Sequence, residues 1–283
     1  MTTASMTVGL LHPGEMGVTV GATAAGGGAR VLWASEGRTE ATRSRAIETG
    51  LEDAGSLASV VRGSQVILSV VPPHGALDLA RTVAALGFRG LYVDGNAVAP
   101  DTAREIGRVV ETAGARFVDG GIIGPPARKR GTTRFYLSGP AAPEIAVLFN
   151  AGPMDAIVLD KPAGAASALK MAYAGWTKGS AALLAALRAF AMAEDVDSAL
   201  LAEWKISQPD VPARSERAFT DNARKAWRFV GEMEEIARSL AAADLPAGFH
   251  EAAREIYERL SEYKDARTPP TVEEAARKLP GHR

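Results

Sequence analysis

Apolar positions in the first half of the chain fall in short, almost unbroken runs at residues 8–11, 30–33, 66–71, 90–94, 116–119, 134–138 and 156–159. Runs of this length, apolar on successive residues rather than on every second one, suit parallel strands covered on both faces. Between them lie segments with helical spacing, such as 76–86 and 100–113, and the Gly26-Gly27-Gly28 run returns the first helix to the second strand. This alternation predicts an α/β unit built on a doubly wound parallel sheet. The pattern changes at Asp160-Lys161-Pro162. Beyond it strand signals vanish, and helical spacing runs over 163–193, 197–206, 214–243 and 248–265, punctuated by Pro209, Pro212, Pro246 and Pro269-Pro270. The expected organisation is a sheet domain over 1–161 and an all-α domain over 162–283.

Composition narrows the function classes. With 47% hydrophobic and 23% charged residues, the chain can bury a full core, and a net charge of −1 gives no basic face for nucleic acid or an anionic membrane. The absence of cysteine excludes disulfides, thiolate metal sites and a thiol nucleophile. Four scattered histidines lack metal-ligand spacing, so no metal site is expected. Residues 1–5 are polar and read as no signal peptide, and the apolar segment 181–193 is interrupted by Arg188 and too short to span a bilayer. A cytoplasmic protein with no membrane or nucleic-acid partner is expected.

The first strand leads into Leu11-His12-Pro13-Gly14-Glu15-Met16-Gly17, a strand–turn–helix segment with glycine where a G-x-G-x-x-G fingerprint would place two of its three. Such a turn presents helix N–H groups and the positive end of a helix dipole to a pyrophosphate. A Rossmann-type site is therefore expected, with Leu11, His12, Pro13, Gly14, Glu15 and Met16 at the cofactor. The second strand ends at Trp33-Ala34-Ser35-Glu36-Gly37-Arg38 without the carboxylate that binds the NAD ribose. A hydroxyl at Ser35 and a guanidinium at Arg38 suit a 2′-phosphate, so NADP is expected rather than NAD. A register shift would instead turn Glu36 toward the ribose.

Three further segments carry chemistry. Val71-Pro72-Pro73 closes the third long strand run, 119–124 reads as a glycine-rich turn, and Gly164 to Lys170 opens the long helix with a lysine inside an apolar stretch. Burial lowers a lysine pKa and suits it to general acid–base work. In order and spacing these pieces resemble the β-hydroxyacid dehydrogenase superfamily, which includes 3-hydroxyisobutyrate and 6-phosphogluconate dehydrogenases and imine reductases. The resemblance rests on Gly164 six residues before Lys170, on 119–124, on Val71-Pro72-Pro73, and on Asp94-Gly95-Asn96-Ala97-Val98-Ala99-Pro100.

The resemblance implies a catalytic Lys170, a substrate turn at Gly121, Ile122, Ile123 and Gly124, and cofactor contacts at Val71, Pro72, Pro73 and Asn96. It also shows two departures. Ala174 stands where the family carries an asparagine four residues after the lysine, and Ile123 stands in a serine position. Thr177 and Lys178 share the helical face of Lys170 and are the remaining polar candidates, with Ser167 just before it. An NADP-dependent oxidoreductase acting on a small molecule is the expected function. An imine reductase or reductive aminase on the same fold, and a nucleotide-binding regulator without turnover, stand beside it. The Ala/Gly-rich long helix predicts a homodimer through the helical domain, and the aromatics Tyr173, Trp176, Trp204, Trp227 and Phe249 read as core.

Overall fold

The computed structural model describes residues 6–280. The chain divides into two compact units, the first ending at Lys170 and the second beginning at Met171.

The first unit contains strands β1 (Thr7–Leu10), β2 (Arg30–Trp33), β3 (Glu52–Asp53), β4 (Val66–Ser69), β5 (Leu91–Asp94), β6 (Arg116–Ile123), β7 (Thr133–Ser138) and β8 (Met154–Val158). Helices α1 (Glu15–Gly26), α2 (Glu40–Glu48), α3 (Leu57–Gly63), α4 (Pro73–Ala85), α5 (Pro100–Thr112) and α6 (Ala142–Ala146) connect them. The strands form one sheet in the order β3-β2-β1-β4-β5-β6-β7-β8. All neighbours are parallel except β6 and β7, so the last two strands run against the first six. This is a Rossmann-type doubly wound sheet with a reversed edge. Leu10, Leu68 and Val93 enter the apolar layer on one face, while Leu32, Ile67 and Tyr92 enter the layer on the other. Two-sided burial explains the unbroken apolar runs, each buried aliphatic side chain contributing about 1.5–3 kcal/mol.

The segment 119–124 corrects the turn expected there. β6 continues through Ile123, with Gly120 opposite Leu137 and Gly121 opposite Tyr136. The two glycines mark close approach: a Cβ on Gly120 would lie 2.5 Å from the Phe135 ring, and one on Gly121 would lie 2.5 Å from the Ala166 carbonyl oxygen. The chain turns only at Gly124, whose φ of +131° excludes ordinary side chains.

The long helix α7 (Ala165–Ala193) leads into α8 (Asp197–Ser207), α9 (Val211–Thr220), α10 (Ala226–Ala241), α11 (Gly248–Leu260) and α12 (Val272–Ala276). The single helix expected over 214–243 is two. Asp221 and Asn222, weak helix formers, interrupt it before a 3₁₀ turn at Ala223–Lys225. Arg188 is 5% exposed, paired with Asp197 at 2.5 Å and bonded to Ser215 at 2.9 Å. Its charge is thus compensated inside the helical unit. Tyr257 donates to the Lys178 carbonyl at 2.7 Å and meets the Phe229 ring edge-on.

Of the aromatics expected in the core, Trp204 is buried. Trp176 is 67% exposed, and Tyr173, Trp227 and Phe249 also reach solvent. Leu169, Tyr173, Trp176, Leu183, Leu187 and Phe190, at alternating four- and three-residue steps broken only at Ser180, form an outward stripe along α7. No helix among the described residues is long and apolar enough to cross a membrane.

Candidate cofactor and active site

The turn after β1 is built around one carbonyl. A Cβ on Gly17 would stand 2.0 Å from the His12 oxygen, so only glycine lets α1 start this close to the strand. Gly14 occupies the N-cap of α1 and brings no side chain to its first turn. His12 lies over this point, its Nε2 3.1 Å from where a Gly14 Cβ would be. Arg38 contacts His12 Nδ1 at 3.2 Å and donates to the Leu11 carbonyl at 3.1 Å. A guanidinium has only donors, so Nδ1 accepts and the ring proton sits on Nε2, beside the helix N-terminus. Burial lowers the His12 pKa, and the charges of Arg38 and Arg45 lower it further.

The structure therefore brings Leu11, His12 and Gly14 together with Arg38. Pro13, Glu15 and Met16 belong to the same turn. Among the described residues Arg38 has no carboxylate partner, and its Nε is buried without a hydrogen bond. Ser35 donates its N–H to Asp53 at the end of β3, at 3.2 Å. Burial works against the Asp53 charge, but hydrogen bonds from Ser35 and Gly55 hold its carboxyl below the usual range. That carboxylate was not legible in the sequence, because β3 is only two residues long. Glu36 is exposed.

At the end of β4, Asn96 accepts the Val71 N–H at 2.6 Å and donates to Ser69 Oγ at 3.1 Å and to Asp94. This fixes the loop that enters α4, where Pro72 is the N-cap and Pro73 the first helical residue. Asp94 is fully buried, with Oδ2 unpaired. Burial and the neighbouring Asp119 push its pKa up to about 8, although Asn96 opposes the shift.

Asp119 anchors the start of α7. It accepts the N–H groups of Gly164 at 2.8 Å, Ala166 at 2.9 Å and Ser167 at 3.1 Å, together with the hydroxyls of Ser138 at 2.8 Å and Ser167 at 2.5 Å. A carboxylate here satisfies the free N–H groups of the helix and complements its dipole. Gly164, at φ +101°, makes the entry turn. The Lys170 Cβ then stands 3.1 Å from where a Gly121 Cβ would be, so Lys170 is seated against the β6 backbone at Gly121, the residue before Ile122 and Ile123. Gly124 lies where β6 ends.

Within the helical unit Ala174 is buried, Thr177 donates to the Tyr173 carbonyl at 3.0 Å, and Lys178 pairs with Glu232 and lies over the Phe229 ring. The Lys178 ammonium is thus engaged by its own domain.

Residues 7–146 match the family model of the NAD binding domain of 6-phosphogluconate dehydrogenase, and 191–260 match a domain of unknown function, DUF1932. The conserved protein MTH1747, whose structure was described as similar to 3-hydroxyacid dehydrogenases, superposes with a TM-score of 0.71 at 27% identity, covering 96% of this chain and 99% of its own. The chain belongs to the β-hydroxyacid dehydrogenase superfamily. A 3-hydroxyisobutyrate dehydrogenase of Mycobacterium tuberculosis, 17% identical, shares the fold of this superfamily member with a TM-score of 0.70 over 98% of this chain and 100% of its own. An uncharacterized 28.5 kDa protein of Methanothermus fervidus is 33% identical over 150 residues, 53% of this chain and 57% of that protein. The superfamily's NAD(P)-binding domain is thus present, and the chain matches little more than half the length of that curated relative.

Proposed function

We propose that the protein is an NADP-dependent oxidoreductase acting on a carbonyl or hydroxyl carbon, with Lys170 as general acid and base. The nicotinamide, when bound, supplies the hydride chemistry. The seating of Lys170 against Gly121 carries this reading. Backbone at Gly121 to Gly124 orients the substrate, and Lys170 protonates the nascent alkoxide in reduction or accepts the proton in oxidation. The first turn of α1, with glycine at its N-cap, and the His12 Nε2–H suit the pyrophosphate. The Arg38 guanidinium, lacking a carboxylate partner among the described residues, suits a 2′-phosphate. Ser35 stands beside it, and Asn96 holds the Val71-Pro72-Pro73 loop in place.

The test is NADPH-dependent reduction across aldehydes, keto acids and cyclic imines, repeated with Lys170→Ala. Turnover should fall about 10²–10⁴-fold while NADPH affinity stays. Undiminished carbonyl reduction by the variant overturns the assignment. A second reading, imine reduction, is favoured by Ala174 and Ile123, which stand where the resemblance expects the asparagine and serine that hold a hydroxy acid. Turnover of imines alone would select it. The outward stripe of α7 supports a homodimer through the helical domain.

A further inference from the structure

Helices α7 and α9, with Asp221 and Asn222 just beyond α9, line an open pocket of about 270 Å³ within the helical unit. Arg214 and Arg217 line it from positions three apart on α9, so both project from one face of that helix. Among the described residues neither arginine forms an ion pair. The Arg214 guanidinium lies 5.9 Å from the centre of the Trp176 ring, and that indole is largely exposed. Ser180 and Asn222 add a hydroxyl and an amide, and Asp221, which accepts from Thr220 Oγ1 at 3.5 Å, adds one carboxylate.

These groups define a ligand chemistry. Two forked guanidinium groups match the planar oxygens of a carboxylate. The indole face offers a flat apolar surface next to them. Asp221 leaves the lining with one net positive charge, which a carboxylate monoanion neutralises, whereas a phosphate dianion would leave one negative charge unmatched. We propose that this pocket binds a small monocarboxylate bearing a flat apolar group, with Arg214 and Arg217 holding the carboxylate and Trp176 stacking on the remainder. Binding of such a carboxylate does not require hydride transfer.

Binding is read on the full chain by calorimetry and tryptophan fluorescence, with benzoate, neutral benzamide and inorganic phosphate as probes. Trp176 and Ser180 also lie on the outward stripe of α7, so the protein is used in its native oligomeric state. Benzoate should bind and perturb the fluorescence, benzamide should not, and phosphate should not displace benzoate. Arg214→Gln and Arg217→Gln should each weaken benzoate about tenfold or more, with melting temperature and NADPH affinity unchanged. Trp176→Phe should remove most of the fluorescence response and leave a calorimetric signal. Equal binding of benzamide, displacement by phosphate, no benzoate binding at millimolar concentration, or unchanged affinity in both arginine variants would each overturn the proposal. Because binding alone is read, a protein that failed to reduce any carbonyl could still pass this test.

Discussion

Lys170 rests on Gly121: a Cβ at Gly121 would meet the Lys170 Cβ at 3.1 Å and the Ala166 carbonyl oxygen at 2.5 Å. The lysine's position against β6 therefore depends on a missing side chain.

Gly121→Ala should push the first turns of α7 away from the sheet. Overpacking of this kind costs about 1–3 kcal/mol. The expected result is a lower denaturation midpoint and a kcat reduced by a larger factor than NADPH affinity, measured by denaturant melts and steady-state kinetics. Wild-type kcat in this variant would show that the contact does not position the lysine.

Arg38→Gln removes the guanidinium at the turn before α2, which among the described residues has no carboxylate partner. NADPH should bind about ten- to a hundredfold more weakly, consistent with loss of charged hydrogen bonds, while NADH changes little. Equal losses for both cofactors would place Arg38 at the pyrophosphate instead.

Asp94 gives a pH signature. Its folded-state pKa is raised from 3.8 to about 8, so the folded state keeps a proton that the unfolded chain releases. The contribution of Asp94 to stability is greatest below the unfolded value of 3.8, declines as pH rises, and is lost above about 8. The slope between these limits is at most about 1.4 kcal/mol per pH unit. Asp94→Asn keeps a similar shape and removes the titration, so its chemical denaturation should show a flatter pH dependence than wild type. Parallel profiles would assign the proton elsewhere.

Leu183, Leu187 and Phe190 lie on the outward stripe of α7, and Phe190 is 63% exposed. A second copy covering them gives a light-scattering mass near twice the 29.6 kDa of one chain. Leu187→Glu should shift the mass to the monomer with helix content retained. A monomeric wild-type protein at micromolar concentration would refute the dimer.

The doubly wound sheet was legible because its strands are buried on both faces, and burial writes itself as unbroken apolar runs. The helix carrying Lys170 was legible from the Gly164 spacing and the proline-marked change of pattern at 160–162. The Gly120-Gly121 pair misled locally, since glycine signals a turn in sequence and a close tertiary approach here. Asp119 hid its role because its partners at the entry to α7 lie 45–48 residues away. The α7 aromatics misled for another reason: helical periodicity identifies an apolar face and says nothing about which side that face turns to. Asp221 and Asn222, which end α9, carry only weak helix-breaking signals.

The most direct test of the account is a titration of the purified protein with NADPH and NADH, followed by nicotinamide fluorescence. Tight NADPH binding and weak NADH binding are expected, with Arg38→Gln narrowing the gap. Preferential NADH binding would contradict the 2′-phosphate assignment, and no binding of either cofactor would contradict the oxidoreductase reading itself.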